Sequence, residues 1–505
     1  MPLPESHERQ GRAHRVRAGR RPTRAWGCRM TDRLRSRDLA FLTAETVTAP
    51  RHNATVEIFE PGPSGLDHET VLALIADRIA FVPRYRQRLA GVPGGVAAPV
   101  WVDDDHFDLG YHVRRSALPR PGSDEQLFEL VARIVPRRLD RSRPLWEVYF
   151  VEGLRDDRVA LLYKSHQALV DGVHTVDLGQ LLLDRSPDRK ALEPDDWTPR
   201  RAPSSGRLLA GAVRDVVTDA TALTDTVGRA TGTARDAAEK VGGGALKVAG
   251  ALAGRRPPRR GPMFGPLSQH RRVVTVETRL ADYRRVREKH GGTVNDVVLA
   301  TVTGGLRAWL MTRSESMGGL REVRAVVPVS VIDDELEATS LGSQIAAHVV
   351  DLPVGEPSPL VRLHQVSYSF QAHAETGRSV AANRLAGIAG FAPTTFHAIG
   401  SRVAAEEARR GYVLSVTNVP GPQSPLYAAG ARMVASYPVP PLLEGHPLAI
   451  GVTSYDGGVF YGITADRDQL PDAEVFGTCI SEALDELLAT TTAPRAPRGR
   501  GRATD

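Results

Sequence analysis

The sequence predicts an α/β or α+β protein with a mixed sheet in each half. Its 505 residues exceed what one hydrophobic core usually organises, so two domains of roughly 200 residues each are expected. Stretches with apolar residues three and four apart alternate with short runs rich in Val, Ile and Tyr, which is the order of helices and strands in a layered fold. No internal repeat at a period of roughly 20–50 residues suggests a solenoid or a propeller.

From residue 31 to residue 196 the pattern is mixed. ETVLALIADRIAFVPRYRQRL places Val71, Leu72, Leu74, Ile75, Ile79 and Val82 at helical spacing. A strand follows around Pro99–Val102. DEQLFELVARIVPRRL reads as a second helix, with Leu127, Leu130, Val131 and Ile134 on one face. WEVYFVEGL and RVALLYKSH read as a strand pair joined through Gly153–Asp157.

Residues 197–262 differ. Leu209, Val213, Val216, Val217, Ala220, Leu223 and Val227 recur along a weakly amphipathic helix, and an Ala-rich stretch follows. A helical connector is expected, with a lipid-surface helix as the sharper alternative. Residues 263–490 resume compact patterning. VVTVETRL, VRAVVPVSV, AAHVVDLPV and VLSVTNVPGP read as strands, and GVTSYDGGVFYGITADRDQLPD as a hairpin around Asp456-Gly457. LADYRRVREKHG is a helix with a Gly stop, and TVNDVVLATVTGGLRAWLMTR a buried helix opened by a capping Thr.

The net charge of +6 belongs to the ends. Residues 1–30 hold eight Arg and two Glu, while the other 475 residues carry 57 basic and 57 acidic side chains. Residues 1–30 and 491–505 are expected to be disordered basic extensions. Globular patterning starts at Met30, which is therefore the expected true start, with a basic arm for anionic partners as the alternative. The neutral body gives no reason to expect nucleic acid. Cys28 and Cys479 make neither a disulfide framework nor a metal cluster, so a reducing, cytoplasmic setting and no metal are expected. No run approaches the ~18–20 apolar residues of a membrane span. No glycine-rich phosphate loop follows a strand.

KSHQALVDG, residues 164–172, carries the chemistry. A histidine near neutral pKa can take the proton of an alcohol nucleophile. An aspartate nearby holds the loop in register, and a glycine after it permits a sharp turn. On a regular strand Tyr163, Ser165 and Gln167 share one face, with Lys164 and His166 on the other. His166 would then need a bulge or a loop start to reach the centre on the Gln167 side. His174 is a weaker candidate. Asn295 and Asp296 read either as a helix cap or as tunnel-lining groups. Trp146 is expected in the core, His52, His112 and His348 as packed or surface residues, and Asp140 in an ion pair.

Several stretches together resemble the bacterial wax ester synthase/diacylglycerol acyltransferase family, within the class of CoA-dependent acyltransferases that share an HxxxD signature. In order they are DLAFLTAET (38–46), LDRSRPLWEVYFVEGL with Pro144, Leu145 and Trp146, KSHQALVDG, TVNDVVLA with Asn295 and Asp296, VTNVPGPQSPLYAAGAR, and SYPVPPLLEGHPLAIGVTSYDG. The resemblance runs from about Leu34 to Leu488. It implies two chloramphenicol-acetyltransferase-like domains, a long helical crossover, and a tunnel admitting acyl-CoA from one side and an alcohol from the other.

The resemblance also implies a reaction and a site. Acyl-CoA would be the donor substrate, with no separate cofactor. A diacylglycerol or a long-chain alcohol would be the acceptor, met at a membrane or lipid-droplet surface or in the cytoplasm. The catalytic group would be His166, Gln167 and Asp171, and the substrate-binding group Gly172, Asn295 and Asp296. Aligned on Asp171 and Gly172, His166 matches the first histidine of the family's HHxxxDG and Gln167 the second, which is the family's base. A primary amide cannot accept that proton at neutral pH. An impaired paralogue that binds acyl-CoA or lipid is therefore the alternative to an enzyme.

Overall fold

The computed structural model describes residues 32–62, 65–169, 178–188, 195, 197–218, 263–313, 321–330, 345–374 and 414–492. In the first half they form β1 (Asp32–Arg33), α1 (Ser36–Thr43), β2 (His52–Glu60), α2 (His68–Arg78), β3 (Gln87–Ala90) and β4 (Val100–Asp103). Next come α3 (Leu109–His112), β5 (Val113–Ala117), α4 (Asp124–Ile134), β6 (Trp146–Glu152), β7 (Val159–His166), α5 (Leu178–Leu182) and α6 (Ser205–Thr218). The second half holds β8 (Arg271–Arg279), α7 (Leu280–His290), α8 (Val294–Thr312), β9 (Val323–Ser330), β10 (Ile345–Leu352) and α9 (Pro359–Ala374). It closes with β11 (Leu414–Pro420), β12 (Tyr427–Ala428), β13 (Ala431–Val439), β14 (Leu448–Tyr455), β15 (Gly458–Asp466) and α10 (Ala473–Thr492).

Two six-stranded mixed sheets carry the fold, in the orders β12-β13-β2-β7-β6-β5 and β10-β9-β11-β14-β15-β8, beside a small β1-β4-β3 sheet. Each large sheet has its own apolar cluster. One gathers Val56, Ile58, Val71, Leu74, Trp146, Phe150 and Leu162, the other Val297, Trp309, Val350, Ile450 and Phe476. The α/β class read from periodicity is therefore the observed one.

The chain does not divide where the sequence pattern does. β12 and β13 lie in the second half by sequence, yet they complete the first sheet, with β13 antiparallel to β2. β13 also runs against the second sheet. A Cβ at Gly462 would lie 1.6 Å from the Pro438 carbonyl oxygen, and one at Gly451 would lie 2.8 Å from the Pro438 ring. Only glycine admits this approach, which explains two small residues in otherwise apolar strands. The helix expected to reach Val82 stops at Arg78, and two 3₁₀ turns and β3 follow. Pro83 opens the second 3₁₀ turn, and a proline there cannot extend the preceding helix. The connector helix is seen as α6, seated on β4 of the small sheet through Leu208 and on the β3–β4 connection through Ala212; residues 219–262 lie outside the described residues.

Candidate active site

β7 brings the KSH segment to the end of the first sheet, between β2 and β6. Its pairing with β2 is regular throughout, from Val159↔Phe59 to His166↔His52, so the strand has no bulge. Lys164 and His166 therefore share a face, as alternation requires. Lys164 is buried, and its ammonium donates to the Ile134 carbonyl at 3.2 Å and to the Arg137 carbonyl. Those carbonyls lie at and just beyond the C-terminal end of α4, where the helix is electronegative. Burial lowers the Lys164 pKa to about 8, against the attraction of Glu147, whose carboxylate lies 3.8 Å away.

The strand is held where it ends. The His166 amide donates to Leu145 O at 3.0 Å and the Gln167 amide to Arg51 O at 2.8 Å. The chain then turns, with the Leu169 amide donating to His166 O at 2.9 Å. The imidazole closes the same turn, because the Ala168 amide donates to His166 Nδ1 at 3.0 Å. An amide N–H can only donate, so Nδ1 holds a lone pair and the neutral ring carries its proton on Nε2. Burial drives the His166 pKa well below the usual histidine value, which keeps the ring neutral. His166 is 1% exposed and Gln167 is fully buried.

Nε2 of His166 faces Glu45. Its distance to Oε2 is 3.9 Å, while His52 Nε2 lies 3.3 Å from Oε1. The two imidazole rings meet edge to face at 5.6 Å. Arg141 reaches the Glu45 carboxylate and Leu42 O, and Arg138 approaches Oε2 at 3.4 Å. Burial pushes the Glu45 pKa up, but hydrogen bonding to His52 and Arg141 outweighs it and holds the carboxyl well below its usual range. Burial lowers the His52 pKa as well. The cluster is thus an ionised carboxylate facing two neutral imidazoles. Glu45 Oε1, His52 Nε2 and His166 Nε2 are buried without an aligned hydrogen bond.

The donor atoms of Glu45, His52 and His166 lie within 4.8 Å of one another, which is compact enough for a cation by distance. The chemistry of the set does not fit one. A nitrogen carrying a proton has no lone pair for a metal, and the amide on Nδ1 puts the His166 proton on Nε2. Two guanidinium groups already pair with Oε2 of the carboxylate. The arrangement suits a carboxylate receiving two imidazole N–H groups.

Asp171, Gly172 and His174 lie outside the described residues. Asn295 and Asp296 open α8. Asp296 Oδ2 accepts from the Thr293 amide at 2.8 Å and the Asp296 amide donates to Thr293 Oγ1 at 3.1 Å, which is a capping box. The Ser367 hydroxyl adds a third bond at 3.1 Å. Asn295 Oδ1 accepts from Asn418 Nδ2 at 2.9 Å, so α8 is tied to the VTNVPGP strand β11. Trp146 is fully buried, donates to Tyr85 O at 2.8 Å and stacks on His112 at 4.5 Å. Asp140 caps the Ser142 amide and lies 3.9 Å from Arg143, while its neighbour Arg141 goes to Glu45.

Sequence reasoning missed Glu45 and placed His52 among packed or surface histidines. His52 is packed, but against His166. Glu45 stands inside the DLAFLTAET block, and its place within a recurring block was the available signal.

Comparison with known proteins identifies the family. The model of the wax ester synthase/diacylglycerol acyltransferase catalytic domain matches residues 34–298, and that of the WS/DGAT C-terminal domain residues 341–488. A Mycobacterium tuberculosis protein named probable diacylglycerol O-acyltransferase is 35% identical over 469 residues, covering 92% of this chain and 97% of its own length. A second from the same organism is 41% identical over 264 residues, covering 52% of this chain and 97% of the relative. The wax ester synthase/diacylglycerol acyltransferase of Marinobacter aquaeolei superposes with a TM-score of 0.63 at 25% identity, covering 91% of this chain and 99% of that one. The first condensation domain of the CDA synthetase shares the fold, with a TM-score of 0.52 at 15% identity over 92% of this chain and 97% of that one. The chain belongs to the wax ester synthase/diacylglycerol acyltransferase family.

Proposed function

We propose that the protein moves a long-chain acyl group from acyl-CoA to the hydroxyl of a diacylglycerol or a long-chain alcohol. The carrying observation is convergence. The DLAFLTAET, Pro-Leu-Trp and KSHQALVDG blocks meet at the end of β7, through Glu45, Leu145 O and His166. The hydroxyl oxygen would attack the thioester carbonyl, the C–S bond would break, and CoA would leave as the thiol. Acyl-CoA is consumed as a substrate, and this step needs no other cofactor.

Within that reading His166 pins the turn, Gln167 orients the hydroxyl, and Asp171 and Gly172 shape the loop that follows. An amide can hold the hydroxyl by hydrogen bonding but cannot take its proton, so turnover is slower than with an imidazole by about 10²–10⁴. Proximity of donor and acceptor supplies what remains. Asn295 and Asp296 would border the acyl passage from the second half, and residues 197–262 would form the crossover between the halves. Among the described residues no helix is long and apolar enough to cross a membrane. The acceptor lipid would be drawn from a membrane or lipid-droplet surface on the cytoplasmic side.

Gln167 favours one second reading, a paralogue that binds acyl-CoA or lipid without turning it over. Purified protein incubated with labelled long-chain acyl-CoA and either diacylglycerol or hexadecanol decides between the two. Labelled triacylglycerol or wax ester, with matching release of free CoA, supports the enzyme. Acyl-CoA binding with no ester formed establishes the binder.

A further inference from the structure

We propose that Glu45 is the positioning residue of this site. Its carboxylate selects the tautomer of His166 and, through the Ala168 amide, the shape of the turn that presents Gln167. The proposal rests on the acyl-transfer reading only for its kinetic consequence.

The proton count on one buried ring sets its tautomer. The Ala168 amide requires a lone pair on His166 Nδ1. A neutral imidazole carries one proton, so Nε2 must hold it. Without a nearby charge, the two neutral forms of a histidine are close enough in energy for surroundings to choose between them. Here the surroundings are one-sided. An ionised carboxylate lies 3.9 Å from Nε2 in a dry site, and a proton on that nitrogen is attracted to it. Moving the proton to Nδ1 would set it against the Ala168 N–H and leave a lone pair facing Glu45.

Glu45 is itself fixed. It follows α1 directly, the Ala44 amide completes that helix by donating to Ala40 O at 2.9 Å, and Arg141 binds both Leu42 O and the Glu45 carboxylate. His52, paired opposite His166 on β2, faces the other carboxylate oxygen. The turn then follows from the ring: Ala168 N–H to Nδ1 and Leu169 N–H to His166 O are its two bonds, and Gln167 lies between them. A carboxylate more than a hundred residues away in sequence thus fixes the backbone of the motif.

Two readouts test this. In the first, full-length protein labelled with ¹⁵N in its histidine rings is compared with Glu45→Gln and Glu45→Asp, with His166→Gln identifying the signal. The expected wild-type spectrum shows His166 protonated at Nε2 and unprotonated at Nδ1, with that preference lost in Glu45→Gln and kept in Glu45→Asp. A wild-type ring protonated at Nδ1 overturns the proposal, as does an unchanged tautomer in folded Glu45→Gln. This readout needs no activity, so it stands even if acyl transfer fails. The second readout is kinetic, in wild type and in Gln167→His. Glu45→Gln should lower kcat about 10²-fold while KM for acyl-CoA stays within about twofold, because misplacing the turn affects alignment more than binding. Glu45→Asp should restore most of kcat. Equal kcat in Glu45→Gln and its parent overturns the proposal; no turnover in any variant defeats the acyl-transfer reading and leaves the tautomer result to judge this one.

Discussion

The end of β7 and the start of α8 both carry polar groups turned inward and belong to the family's blocks, yet they treat those groups differently. At α8, the Asp296 carboxylate is matched to the Thr293 amide and the Ser367 hydroxyl, and Asn295 to Asn418. At β7, the Glu45, His52 and His166 side chains face one another, and Glu45 Oε1, both His52 ring nitrogens and His166 Nε2 lack an aligned partner. A satisfied network stabilises and fixes a helix start. A buried network left short of partners costs stability and is kept where chemistry or positioning needs it. The contrast makes the α8 cluster a clamp between helix and strand and the β7 cluster a device that sets a proton's place.

The sharpest way to break that contrast is Gln167→His. It should raise kcat for acyl transfer by about 10²–10⁴, read from initial rates of CoA release with acceptor present. An unchanged rate would mean that position 167 does not meet the reacting hydroxyl.

Acid titration comes next, because the β7 cluster should be acid-labile. Burial lowers the folded-state pKa of His52 and His166, so the unfolded chain binds more protons below the usual histidine value near 6.5. Stability should therefore fall as pH drops below about 6.5. Glu45 adds to the loss at lower pH, since its stabilisation is full above the unfolded value near 4.5 and disappears as pH falls toward its depressed folded value. Denaturant midpoints from pH 8 to pH 5 check this, and His52→Gln should flatten the slope.

The α8 clamp should respond in stability. Asp296→Ala removes the capping box and the Ser367 bond, costing about 1–2 kcal/mol in denaturant unfolding. A parallel rise in KM for acyl-CoA would give Asp296 a second role at the substrate. The smallest effect belongs to Asn295 and Asn418. A double-mutant cycle to alanine should yield a coupling of about 0.5–1 kcal/mol. Zero coupling would mean that the bond does not join α8 to β11.

Much of the fold was legible in one dimension. The β6–β7 and β14–β15 pairs, the Thr293 cap and the Gly291 stop depend on local periodicity and turn chemistry, and each is found. Asp456 and Gly457 both take positive φ, at 42° and 84°, as a tight hairpin turn requires. The regular alternation of β7 was also readable, and it correctly put His166 on the face away from Tyr163 and Ser165.

What stayed hidden needed partners distant in sequence. The place of β13 beside β2 could not be read, because an apolar strand does not state which sheet edge it will join. Nor could the meeting of Glu45, His52 and His166. Glu45 carries no local mark and His52 reads only as a packed or surface histidine, since nothing local distinguishes an acid that will be buried from one that will be solvated. Local pattern alone supplied many of the elements and the motif, and the family resemblance supplied the reading of Gln167 in place of a base. Where the proton of His166 resides follows from folding, because a tautomer is chosen by the charges and amides around a ring, and the carboxylate facing this one arrives from another element.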